Sequence, residues 1–85
     1  YRRYLAQTYE YLGTVYQWQG QAFETRQNYD QALTAYEKSI GAFGQCISQG
    51  DLSDDLVIQD DIIKINCQPK LEEVQQRYSE LTAGN

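Results

Sequence analysis

The 85-residue chain predicts an all-α fold, an antiparallel helical hairpin followed by one kinked helix or two short ones. Three observations carry this. Apolar residues recur at helical spacing, and the strict alternation of a half-buried strand is absent. The lone Pro stands at position 69, so no ring clash interrupts a helix before it. The one dense cluster of turn residues, Gln49-Gly50-Asp51-Leu52-Ser53-Asp54-Asp55, divides a single domain into a hairpin (1–48), a loop (49–55) and a C-terminal part (56–82).

The first helix is predicted from Arg2 to about Gln27. Leu5, Tyr9, Leu12, Tyr16, Gly20 and Phe23 share one stripe, and Tyr4, Tyr11, Val15, Trp18 and Ala22 share a second. Arg3, Glu10, Thr14, Gln17, Gln21 and Glu24 make the polar face. A surface helix carries one apolar stripe of about 100°. This arc is roughly twice as wide, so the helix is expected to be covered on two sides, by the C-terminal helices or by a preceding repeat. The break falls at Arg26-Gln27-Asn28, with Asn28 as the N-cap. The second helix, Tyr29 to Ser48, is expected to bury Tyr29, Ala32, Tyr36, Ser39, Ile40, Phe43 and Ile47 and to turn Asp30, Gln31, Thr34, Glu37, Lys38 and Gln45 to water.

Ser53 or Asp54 can cap a third helix carrying Leu56, Val57, Ile62, Ile63 and Ile65. Pro69 leaves two arrangements open. It opens a fourth helix, where its missing N–H costs nothing, or it kinks one long helix. Ile63, Cys67, Leu71, Val74, Tyr78 and Leu81 form a continuous stripe in the second case, and the last four face inward in both.

Composition excludes more than it identifies. Seven Lys and Arg against twelve Asp and Glu give a net charge of −5, which argues against nucleic acid as a partner. His is absent, and with it the commonest general base and metal ligand. No apolar run is long enough to span a membrane. The expectation is a non-catalytic protein without cofactor or metal. With no initiator Met and no leader pattern, the chain reads as a piece of a larger protein.

The hairpin carries a pattern. With the register anchored on Asn28-Tyr29-Asp30-Gln31-Ala32, aromatics fall at Tyr16, Phe23 and Tyr36 and small residues at Gly20, Ala32 and Ser39. The stretch from Tyr16 to Ile40 resembles a tetratricopeptide repeat, a helix–turn–helix unit with an aromatic, a Leu-Gly pair, an aromatic, an Ala and a further aromatic at fixed offsets. Gln19 stands where Leu is usual, and Gly44 where a closing Pro is usual. Seven residues upstream, Tyr9-x-x-Leu12-Gly13-x-x-Tyr16 fits the first-helix pattern better, either as a two-turn extension of that helix or as a repeat with an insertion. The resemblance implies a right-handed α–α superhelix. About three repeats are normally needed for stability, so the C-terminal helices are expected to cap the one repeat present.

It also implies a concave groove lined by the first helix, which assigns Thr14, Gln17, Gln21, Glu24 and Thr25 to partner binding, with a solvated helix face as the plainer alternative. The family's carboxylate clamp is not expected, because these positions supply no Lys, Arg or Asn. Trp18 is either a packing contact or an exposed anchor for a partner. The partner class is a protein or peptide. The rival reading is a helical bundle that forms a homodimer through the second apolar stripe of the first helix. The eight Tyr read as packing, and Asp51, Asp54, Asp55, Asp60 and Asp61 as caps and solvated charge without calcium-loop spacing. Cys46 and Cys67 lack zinc-site partners. A third helix returning directly from Asp54 would place Cys67 too far along to meet Cys46, so free buried thiols are favoured, although the loop 49–55 is long enough to shift that start and allow a disulfide. That assigns the cytoplasm by default and an extracytoplasmic site if the two are bonded.

Overall fold

A computed structural model describes residues 2–51 and 58–83, with side chains described for 4–50 and 63–83. Helix α1 (Arg2–Thr25) and helix α2 (Tyr29–Asp51) form the antiparallel hairpin; a π-helical segment (Ile58–Cys67) then passes directly into helix α3 (Gln68–Ala83). No strand occurs among the described residues. The molecule is a rod, 42 Å long and 19 by 15 Å across, because two helices of more than twenty residues set its long axis.

α1 ends two residues earlier than its pattern suggests. The Asn28 amide donates to the Phe23 carbonyl (2.8 Å) and the Gln27 amide to that of Glu24 (2.9 Å), the paired closure of a Schellman motif. That closure needs a left-handed residue, and Gln27 supplies it with φ of 59°. Asn28 then opens α2: its carbonyl accepts the Ala32 amide at 3.0 Å, and its side-chain amide donates to Gln31.

The seam between α1 and α2 repeats every seven residues. A Cβ built on Gly13 would lie 2.7 Å from the Phe43 ring, and one on Gly20 would lie 2.6 Å from the Tyr36 ring. A step of seven along α1 thus meets a step of seven back along α2. One step further brings Ala6 level with Gly50, and both are buried. Between the aromatic rungs, fully buried Ser39 donates its Oγ proton to the Gly13 carbonyl at 2.7 Å. Small residues on one helix therefore seat rings from the other. The inward centre of α1 is Ala6, Gly13, Gln17 and Gly20, with Tyr9 and Phe23 partly buried beside it, whereas Leu12 stays 40% exposed.

α2 buries Ala32, Tyr36, Ser39 and Phe43 as its pattern predicts, and Cys46 as well, but Tyr29 is 48% exposed. Helix α2 continues through Gln49 and Gly50 to Asp51, three residues predicted as loop; the rest of that predicted loop, the Ser53 or Asp54 cap, and Leu56 and Val57 lie outside the described residues. The side chains of Asp51, Asp60, Asp61 and Ile62, and Asp54 and Asp55 entirely, lie outside them too.

Pro69 does not interrupt the helical run. The hydrogen-bonding register changes from π to α beside it, where the missing N–H frees a carbonyl of the preceding turn. Ile63, Cys67 and Val74 are buried, and Leu71, Tyr78 and Leu81 pack against the core.

Cys46 and Cys67 are bonded to each other, with Cα atoms 6.4 Å apart, and among the described residues no cysteine is free. The expectation of free thiols rested on an α-helix returning from Asp54, and from Ile58 to Cys67 the returning segment is π-helical instead. Cys46 lies five residues before the end of α2, and the wider π-helix advances less per residue, so Cys67 comes level with it.

Candidate functional site

The C-terminal helix does not cover the second apolar stripe of α1. It packs on α2 and meets α1 through side chains on the face predicted to be polar. Lys70 donates to Thr14 Oγ1 (3.2 Å) and pairs with Glu10 (3.5 Å). Arg77 directs Nε (2.8 Å) and Nη2 at one Glu24 oxygen, while the Tyr36 hydroxyl donates to the other. On the outer side Tyr78 donates to Glu37 at 2.7 Å. These contacts fix α3 beside α1 without closing the space between them.

That space is a groove of about 390 Å³. Gln17, Gln21 and Glu24 form its α1 wall, Tyr36 and Val74 its floor, and Glu73, Gln76, Arg77 and Glu80 its α3 wall. Three of the sequence's candidate residues, Gln17, Gln21 and Glu24, are brought together here. Thr14 is instead tied to Lys70 and to the Glu10 carbonyl, and exposed Thr25 back-bonds to the Gln21 carbonyl. Trp18 is 63% exposed on another face, with Tyr4, Tyr11 and Val15, so neither α3 nor α2 covers the second stripe.

Gln17 has the most unusual environment. As a residue it is only 8% exposed, and its side-chain amide has no hydrogen-bond partner among the described residues; no side-chain polar atom among them is both buried and unpartnered, so the amide reaches the water of the groove. An amide so placed can exchange that water for a ligand group.

Electrostatics centre on Glu24. Burial pushes its carboxyl pKa up, but the hydrogen bonds from Arg77 and Tyr36 and the Arg77 charge outweigh burial and hold it below the ordinary carboxylate value of 4.5. Burial first, and then the bond to Glu24, raises the Tyr36 phenol far above its ordinary value. Arg77 is held more firmly protonated by Glu24 and Glu80.

Sequence reasoning missed the α3 wall altogether, since Glu73, Gln76, Arg77 and Glu80 read as an exposed polar face. The pairing of Arg77 with Glu24 across 53 residues leaves no local signature. Among the described residues, no three His, Cys, Asp or Glu side chains gather as metal ligands, and no helix is long and apolar enough to cross a membrane. The chain matches no protein-family model, no curated protein and no solved structure.

Proposed function

We propose that this chain is a non-catalytic protein–protein interaction module of tetratricopeptide type that holds a protein or peptide partner in the groove between α1 and α3. The observation that carries this reading is the position of Gln17: a largely buried side chain whose amide is unpaired among the described residues and reaches the groove, beside Gln21 on the helix whose residues line the groove in that family. The seating of Tyr36 on Gly20 and the burial of Ala32 and Ser39 agree with the register on which the resemblance rests. Selection from a random linear-peptide display library tests it. Enriched peptides should lose binding to Gln17→Leu and Gln21→Ala variants that keep wild-type helicity. Enriched peptides indifferent to both changes would overturn it.

A second reading rests on a different surface. Tyr4, Tyr11, Val15 and Trp18 lie on one stripe of α1 and are 44–75% exposed, which suits pairing of that stripe with a second copy of the chain. Sedimentation at micromolar concentration separates the two: a 9.9 kDa species disfavours the homodimer, and a dimer abolished by Trp18→Glu supports it.

The disulfide is the observation that favours an oxidising, extracytoplasmic setting over the cytoplasm, since such bonds persist where thiols are not kept reduced.

A further inference from the structure

We propose that the groove between α1 and α3 takes an extended peptide carrying basic side chains, with Gln17 and Gln21 bonding its backbone and Glu73 receiving a Lys or Arg. This rests on the reading of that groove as the partner site and names the class of partner.

The backbone half of the argument is a matter of spacing. Gln17 and Gln21 are one helical turn apart on α1, a rise of about 6 Å. An extended chain presents the N–H and C=O of alternate residues along one edge, at intervals of about 6.6 Å. A primary amide offers both a donor and an acceptor, so it can pair with the N–H and C=O of a single peptide residue. Two amides in register therefore match an extended chain. Gln17 is the better held of the two, because its stem is packed while its amide, unpaired among the described residues, reaches the groove. A peptide group supplied there replaces the water that otherwise bonds the amide.

The side-chain half is a matter of charge. The groove carries three carboxylates, Glu24, Glu73 and Glu80, against one guanidinium, Arg77. Arg77 is committed to Glu24 and Glu80, so it is not available to an acidic ligand. Glu73 has no hydrogen-bond or ion-pair partner among the described residues and lies on the opposite wall from Gln17. A cation entering the groove meets a free carboxylate, whereas an anion meets, besides like charge, only a guanidinium already paired with two carboxylates. The whole chain, at net −5, steers the same class of ligand.

Three acetylated, amidated, fluorescein-labelled decapeptides of alternating sequence, Ala-Lys, Ala-Gln and Ala-Glu, test this by fluorescence anisotropy on the disulfide-bonded protein at physiological salt. The Ala-Lys peptide should bind tightest and the Ala-Glu peptide weakest. Gln17→Leu, which preserves volume and net charge, should lower Ala-Lys affinity about fivefold. Glu73→Gln should narrow the gap between the Ala-Lys and Ala-Gln peptides while leaving Ala-Gln binding unchanged. Circular dichroism on both variants confirms that the fold is kept. Binding of Ala-Lys that is unaffected by Gln17→Leu is attraction to the acidic surface at large and overturns the assignment. Ala-Gln binding as tightly as Ala-Lys, and sensitive to Gln17→Leu, overturns the basic preference and leaves the groove as a peptide site. Absence of binding by all three overturns both.

Discussion

Glycine has two opposite roles in the hairpin. At Gly13 and Gly20 the absent Cβ is the seat for an aromatic ring, and at Gly41 and Gly44 nothing lies within 4 Å of where a Cβ would be. Substitution by Ala should therefore change sign with position. Gly44→Ala restores helix propensity at no steric cost and should stabilise the protein by about 0.5–1 kcal/mol. Gly13→Ala gains the same propensity but drives a methyl into fully buried Phe43, and overpacking of about 1–3 kcal/mol should leave it net destabilised. Urea unfolding of the two variants checks the prediction. Much of this was legible in the residues. Gly20, Ala32 and Tyr36 were placed together by the resemblance to a tetratricopeptide repeat, whose small and aromatic positions fall at fixed offsets. Ala6 and Gln17 were not, since a small residue and an amide give no apolar signal, although both lie at the centre of the buried face.

At the scale of elements, α3 is attached by a covalent bond, an apolar stripe and a few polar ties. Its stripe was readable from Ile63 to Leu81, but the face of α1 that it would meet was not. Glu10, Thr14, Gln17 and Glu24 look like a solvated surface in sequence, and they became a contact because Lys70 and Arg77 bond to them. Periodicity reports where water is disfavoured; it does not report which polar face a later helix selects. The Glu24–Arg77 tie should be pH-dependent. The folded pKa of Glu24 is lowered, so its contribution is present above the ordinary value near 4.5 and is lost as pH falls through the folded value. With Arg77 half-exposed, the effect is under about 1 kcal/mol. Thermal melts of wild type and Glu24→Gln should differ at pH 6, and the difference should shrink as the pH falls below the ordinary carboxylate value. The Cys46–Cys67 bond contributes more. It closes a loop with a sequence separation of 21, for which about 3 kcal/mol is typical. Reduction, or a Cys46→Ser/Cys67→Ser pair, should lower the urea midpoint by a corresponding amount and raise hydrogen exchange in α3 ahead of the hairpin.

Taken whole, the molecule has a stiff two-helix spine and a third helix laid along one side. This leaves one flank grooved and polar and another flank aromatic. The division explains why the second apolar stripe of α1 remains exposed: a single covering helix can occupy only one side of the hairpin, and the disulfide commits it to the groove side. The seven-residue seam has its own consequence for the spine. Because the ring-on-glycine contact recurs at a step of seven, Gly20 on Tyr36 and Gly13 on Phe43, the seam counts in sevens. Removing 7–13 from α1 alone would slide Ala6 opposite Phe43, where a Cβ has no room, and taking 43–49 from α2 as well would remove Phe43 but also Cys46, and with it the disulfide. Length in this hairpin is thus tied to its packing: the span from the turn to the open end is pinned by two glycine seats and by the cysteine beyond them.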